Sequence, residues 1–396
     1  MIFNTWAFGL FLLVTVVFYW CFPAKWRHVF LLLASFLFYA YYFPPYTFLI
    51  LFMAMVVYGI SLLLKSQLRI SHKALFISGI VFCLAFLVYY KYTKMILQTW
   101  NELASAFQEP VFSVPQLLVP LGLSFFVFEF VHYLVDFYRG KAEKVSITEF
   151  GLFAMFFPTL VAGPIKRFQN FIDQLRHIRF SWEHFYVGTR RIVIGLAKKT
   201  IIADPMNFFL DPLFKPYSAS DPELYLAVLA YAVKIYADFS GYSDIAIGAA
   251  RLFGYQIPEN FMYPYFSRNI AEFWNCWHIS LSNWIRDYIY IPLGGNRGTL
   301  WFAIRNSLIA MGLSGLWHGA SWNFVVWGLW HGMGLAIYRT WNYGLKRVDI
   351  PRQKLAFLTP VSILLTFSFV CVGWVFFVVV NLREAFYIVG RILQIQ

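Results

Sequence analysis

The chain has 396 residues, of which 60% are apolar, 21% aromatic and only 13% charged, with a mean hydropathy of +0.62. Soluble domains carry roughly 25% charged residues, so the composition argues against a soluble enzyme, a disordered chain or a nucleic-acid binder and for one integral membrane body. Lys and Arg outnumber Asp and Glu by 32 to 19, a net charge of +13. The excess sits in short loops between apolar runs, the positive-inside pattern, and not on one basic face.

Thr5–Phe22 is apolar over about 18 residues, enough to span, and lacks the basic start and cleavage site of a signal peptide. Further spans are predicted at His28–Phe43, Tyr46–Leu64, Ala74–Tyr90 and Leu117–Phe137. The intervening loops carry Lys25 and Arg27, then Lys65, Arg69 and Lys73, then Arg139, Lys141 and Lys144, while Pro44–Pro45 carries no charge. This alternation places the N-terminus outside and the basic loops in the cytoplasm. Phe150–Val161 is short, ends in Ala162-Gly163-Pro164 and is followed by Lys166, Arg167, Arg176, Arg179, Arg190 and Arg191. It reads as a re-entrant or interfacial segment, with amphipathic helices behind it whose bases meet lipid headgroups or an anionic substrate.

Gly188–Leu210 is predicted to cross outward into an acidic loop of Asp204, Asp211, Asp221 and Glu223, and Leu224–Phe253 to return. Trp301–Leu316 and Phe324–Tyr338 precede a basic loop of Arg339, Lys346, Arg347, Arg352 and Lys354. Leu355–Val380 spans last, ahead of an amphipathic Leu382–Gln396. The expected fold is all-α, a polytopic membrane protein of about ten membrane helices with re-entrant and interfacial helices. It forms a single domain, divided into N-terminal helices (1–138), a cytoplasmic-face region (139–200), a core (201–340) and C-terminal helices (341–396). The cysteines Cys21, Cys83, Cys276 and Cys371 form no CxxC pair, so neither disulfide nor metal–thiolate site is inferred.

Polar residues within apolar segments are costly and therefore informative. Glu129, His132 and Asp136 share one helix face and suit a buried network joining helices or a substrate-facing role; Lys234 and Asp238, at i and i+4, are placed to neutralise one another. A span carrying Asp238, Ser240, Gly241, Tyr242, Ser243 and Asp244 cannot face lipid and is expected to line a cavity. The densest constellation runs from Trp274 to His331, with Trp277-His278, Ser280, Arg286-Asp287, Gly294-Gly295-Asn296-Arg297, Trp317-His318-Gly319 and Trp330-His331-Gly332. His318 ends an apolar run, and Gly319 is expected to leave room for a bound chain. Cys276 and His278 are two apart and do not face each other on a helix, which argues against a thiol nucleophile. No P-loop, G-x-S-x-G or H-E-x-x-H element is present in the sequence.

Asp238-Phe-Ser-Gly-Tyr-Ser-Asp-Ile-Ala-Ile-Gly248, Pro258-Glu-Asn-Phe261, Trp277-His-Ile-Ser-Leu-Ser282, Arg286-Asp-Tyr-Ile-Tyr-Ile-Pro-Leu-Gly-Gly-Asn-Arg297 and Leu316-Trp-His-Gly-Ala-Ser321 together resemble the membrane-bound O-acyltransferase family, in its bacterial alginate O-acetyltransferase branch. Leu160–Pro164 and Tyr133–Gly140 extend the resemblance over nearly the whole chain. Asn275 and Cys276 stand where that branch often has two basic residues, and Val378 where it often has Arg. The resemblance implies a ring of membrane helices around a funnel, with the family histidine at His318 and the second histidine at His278. It further implies an acetyl-CoA donor with no tightly bound cofactor or metal, a polysaccharide acceptor, and a secreted or periplasmic SGNH-type transferase as partner.

Acyl transfer from a thioester needs a base for the acceptor hydroxyl and a donor for the developing oxyanion. His318 is expected to be that base or to shuttle the proton, and His278 to polarise the carbonyl or orient the acceptor. Asp238 and Tyr242 would line the cavity and could fix a tautomer, with Trp277, Ser280 and Trp317 as further lining. Lys166, Arg167, Arg286 and Arg297 are candidates for the phosphates of coenzyme A. D-alanyl transfer to teichoic acid, or a transporter or flippase without chemistry, are the competing readings.

Overall fold

The computed structural model describes residues 5–41, 44–66, 71–348 and 357–394. Arg69, Arg352 and Lys354 of the basic loops, and the predicted start of the last span at Leu355, lie outside them. Among the described residues the secondary structure is helical, and the chain folds as two compact units, Met1–Leu196 with Tyr242–Pro258 and Ala197–Gly241 with Glu259–Gln396.

The first unit contains α1 (Trp6–Cys21), α2 (Ala24–Ala40), α3 (Pro44–Leu64), α4 (His72–Leu87), α5 (Thr93–Ala106), α6 (Leu123–Tyr138), α7 (Ile147–Met155), α8 (Phe168–Leu175) and α9 (Trp182–Ala197). A π-turn at Val88–Tyr92 joins α4 to α5, so the predicted fourth span runs on to Ala106. The fifth starts at Leu123 and not Leu117, since Pro115 and Pro120 cannot supply helical N–H groups and leave that stretch extended. The segment read as re-entrant or interfacial holds the end of α7, which has nine residues, is opened by a capping box from Ser146 and Glu149 and gives way to turns at Phe157.

Aromatic rings dominate this core. Phe171 stacks on Tyr255 at 4.9 Å, and Phe153 meets Phe168 edge-on at 5.1 Å. The two carboxylates on the polar face of α6 are paired within the unit: Lys166 Nζ donates to Glu129 Oε1 at 2.6 Å, and Gln169 Nε2 donates to Asp136 Oδ2 at 3.0 Å. These residues form the network joining helices that their spacing allows. Lys166, a candidate phosphate contact, is instead buried and neutralised. Arg191 pairs with Asp244 at 2.6 Å, which accounts for one carboxylate of the polar run.

The second unit contains α10 (Asp211–Phe214), the N-terminal part of α11 (Asp221–Leu252), α12 (Ile270–Cys276), α13 (Ile279–Ile285), α14 (Leu300–His318), α15 (Trp322–Arg347), α16 (Thr359–Val378) and α17 (Leu382–Ile392). α14 and α15 form a hairpin of very close approach. A Cβ on Gly315 would lie 2.0 Å from the Phe324 carbonyl oxygen, and one on Gly328 would lie 2.2 Å from that of Met311. Only residues without side chains let the two backbones touch there. The i, i+4 pairing expected of Lys234 and Asp238 is replaced by longer-range partners: Lys199 Nζ lies 3.0 Å from Asp238 and 2.8 Å from Asp204, while Lys234 donates to Asn207 Oδ1.

Among the described residues four helices are long and apolar enough to cross a membrane: α3, the continuous His72–Ala106, α11 and α16; α1 is apolar but shorter. The buried Glu129–Lys166 pair makes a stability test. Lys166→Met leaves a carboxylate buried without its partner and is expected to cost about 3–5 kcal/mol, read as a lowered unfolding midpoint in detergent. The double variant with Glu129→Gln should recover most of that loss, and equal destabilisation in both would contradict the pairing.

Candidate active site

His278 sits between α12 and α13 with φ +43° and ψ 54°, a left-handed backbone that costs a non-glycine residue about 1–3 kcal/mol unless its surroundings impose it. Here the surroundings do impose it. The extended segment before α12 pairs with the chain on both sides of His278: Phe261 bridges Trp277, Met262 N–H donates to the Cys276 carbonyl at 3.0 Å, and Ile279 N–H donates to the Asn260 carbonyl at 3.0 Å. The Asn260 side chain completes the template, its Oδ1 accepting from Ser280 N–H at 3.2 Å and Ser280 Oγ–H at 2.7 Å. Asn260 is fully buried. Ser280, expected to touch substrate, spends its hydroxyl on this turn.

The His278 imidazole is enclosed by rings. Phe239 meets it edge-on at 4.7 Å, Trp317 lies at 6.1 Å, and the His318 ring lies 6.5 Å away between centroids. Burial without a nearby charge pushes its pKa down to about 3, so the ring is neutral throughout the physiological range. Trp277 is buried in the wall behind, parallel to Phe273 at 5.6 Å and against Trp374 at 4.8 Å.

His318 is the last residue of α14 and is partly exposed. Its ring touches Trp317 and Trp327, each at 4.9 Å, and Phe377 at 5.2 Å. The room expected beside Gly319 is filled, because a Cβ there would meet the Phe324 ring at 2.0 Å. Access to His318 is therefore not through that glycine. His331, the third histidine of the constellation, is fully buried in α15 between Trp274, Trp327 and Phe273. Neither of its ring nitrogens has a hydrogen-bond partner among the described residues.

A cavity of about 350 Å³ opens in the same unit, lined among others by Trp274, Asn275, Arg286, Asn296, Ser314 and Arg339. Ser314 lies one turn before His318 on α14, and Trp274 packs on Trp327, which packs on His318. The polar side is ordered by its own contacts: Arg286 Nε donates to Asp287 Oδ1 at 2.9 Å, and Arg339 and Tyr290 both donate to Asn296 Oδ1. Arg297 is exposed, whereas Arg339, read from sequence as a loop cation, lines the cavity. Asp238 is engaged by Lys199, and Tyr242 packs against the core of the first unit. That unit holds a separate cavity of about 670 Å³ lined by Arg167, His177, Arg179 and His184 among others.

Residues 80–379 match the model of the MBOAT, membrane-bound O-acyltransferase family. The chain belongs to that family. It is 39% identical over 381 residues to the "Probable alginate O-acetylase AlgI" of Azotobacter vinelandii, covering 95% of this chain and 74% of the relative. It is 32% identical to the peptidoglycan O-acetyltransferase of Helicobacter pylori over 92% of this chain and 72% of that one, and 31% identical to the teichoic acid D-alanyltransferase of Bacillus subtilis over 65% and 68%. The protein is a membrane O-acyltransferase, and the resemblance drawn from its motifs holds.

Sequence reading passed over Asn260, although it lies inside the quoted Pro258–Phe261 motif, and over the walls supplied by Trp327, Trp374 and Phe377. The Cys276 thiol is half-buried and burial raises its pKa, against a thiolate role. Cys276→Ser should accordingly keep acyl transfer within about twofold of wild type, as surface-like substitutions away from the chemistry do. A loss of 100-fold or more would return the thiol to the mechanism.

Proposed function

We propose that this enzyme passes an acetyl group from cytoplasmic acetyl-CoA across the membrane for O-acetylation of an extracellular or cell-wall polysaccharide. The observation that carries the reading is the pair of imidazoles, His278 and His318, 6.5 Å apart in an aromatic pocket, beside a cavity with arginines on its polar side. In this reading His318 takes the proton of the acceptor hydroxyl as that oxygen attacks the thioester carbonyl. The tetrahedral intermediate collapses to the ester, and the departing thiolate recovers the proton from the His318 imidazolium. The donor's thiol arm occupies the 350 Å³ cavity with Trp274 along its apolar side, and Arg286 and Arg339 meet its phosphates.

The family membership and the basic loops support a ten-span, single-domain arrangement in the cytoplasmic membrane with the N-terminus outside. An SGNH-type partner outside the membrane would complete delivery to the polysaccharide. D-alanyl transfer is less well supported, because the D-alanyltransferase relative aligns over 65% of the chain and the alginate O-acetylase relative over 95%.

His318→Ala should lower transfer by about 10²–10⁴-fold in isolated membranes that contain the protein at wild-type level, assayed with radiolabelled acetyl-CoA. Arg286→Ala with Arg339→Ala should raise the KM for acetyl-CoA and change kcat little. Envelope glycan from a deletion strain should lose ester-linked acetate; loss of D-alanine with acetate intact would overturn the assignment in favour of the other branch.

A further inference from the structure

The two roles open to His278, polarising the thioester carbonyl or orienting the acceptor, need the nitrogen that faces the reacting centre in opposite protonation states. The first needs an N–H aimed at the reacting centre, the second a lone pair. The structure contains the information to choose, and it lies at Asn260.

An asparagine amide can be built either way round, so its orientation has to be argued from partners. Here the backbone N–H of Ser280, which can only donate, lies 3.2 Å from the Asn260 oxygen, and the Ser280 hydroxyl lies 2.7 Å from it. The amide therefore turns its oxygen toward α13. The same oxygen is 3.4 Å from His278 Nδ1. A carbonyl oxygen has no proton to give, so this contact exists as a hydrogen bond only when Nδ1 carries the hydrogen. A neutral imidazole with Nδ1–H has a bare lone pair on Nε2. His278 Nε2 is buried and has no hydrogen-bond partner among the described residues.

We propose that Asn260 is a positioning residue that locks His278 in the Nδ1–H tautomer, so that Nε2 acts as a hydrogen-bond acceptor for an O–H or N–H of the bound substrate and cannot serve as the oxyanion donor. The inference rests on the acyl-transfer reading for its catalytic meaning but not for its structural content. Three features support it independently of the 3.4 Å contact. The left-handed backbone at His278 has the ring leave the chain at a fixed angle. The pairing of residues 260–262 with residues 276–279 fixes Asn260 and His278 in one register. The rings of Phe239, Trp317 and His318 surround the imidazole, and none of the three is an anion that would draw a second proton onto it. An unprotonated nitrogen in such a place binds a donor strongly, since a substrate hydrogen bond removes the cost of leaving a buried acceptor unpaired.

The test is nitrogen NMR of the full-length protein in nanodiscs with 15N-labelled histidine, the His278 signals being identified by their loss in His278→Gln. The expected spectrum shows Nδ1 protonated and Nε2 unprotonated at pH 7. An Nε2–H tautomer, or an imidazolium, would overturn the proposal. Asn260→Asp keeps an oxygen for Ser280 and so keeps the turn, but its carboxylate should draw a proton onto Nε2. The His278 signals should then become those of the imidazolium, with kcat lowered at least about tenfold and the KM for acetyl-CoA within twofold. Lowered kcat with unchanged His278 signals would mark Asn260 as structural only. Should the wild type give the expected tautomer but transfer no acetyl group, the acyl-transfer reading fails and the tautomer assignment stands.

Discussion

The backbone contact between α14 and α15 is the constraint on which the site depends. With Gly315 against the Phe324 carbonyl and Gly328 against the Met311 carbonyl, the two helices lie closer than any side chain would permit. That approach brings the end of α14, and with it His318, onto Trp327 of α15. Trp327 in turn packs on Trp374 and Phe377 of α16. The His318 ring, packed against Trp317, Trp327 and Phe377, has few rotamers open to it. The hairpin also carries two of the cavity's polar lining residues, Ser314 on α14 and Arg339 on α15.

The second histidine is held by different means. His278 lies outside the long helices, in a backbone conformation disfavoured for a residue with a side chain, and a short extended segment forces it there. Strain of that kind persists only where neighbouring contacts over-determine it. Asn260 supplies those contacts through both its backbone and its side chain. Rings pack around the His318 imidazole, and hydrogen bonds fix the turn that carries His278. The two ring centroids are 6.5 Å apart.

How far the sequence could be read depended on the range of the interactions. Helix positions were legible because apolar length is a local property, and α1, α3, α11 and α14 begin within three residues of where their apolar runs begin. The shared face of Glu129 and Asp136 was legible from helical spacing, but their partners Lys166 and Gln169 were not, lying more than thirty residues away. Spacing misled at Lys234 and Asp238, where a local pair lost to Lys199 and Asn207 reaching in from another segment. It misled again at Gly319, since small size in sequence can mean room for a ligand or room for a neighbour, and here the neighbour is Phe324. The histidines were legible through motifs. Asn260 was not, because nothing in a Pro-Glu-Asn-Phe string says that its amide faces a residue eighteen positions on.

The account makes the pair of imidazoles the place where the acyl group changes hands. The most direct measurement is an electron cryomicroscopy structure of the enzyme in nanodiscs with a non-hydrolysable acetyl-CoA analogue in which a methylene replaces the thioester sulfur. The account predicts the analogue's carbonyl carbon between the His278 and His318 rings, within about 4 Å of an imidazole nitrogen as a near-attack geometry requires, and its phosphates against Arg286 and Arg339. Density for the acetyl end outside the aromatic pocket, with the two rings packed on protein alone, would contradict it.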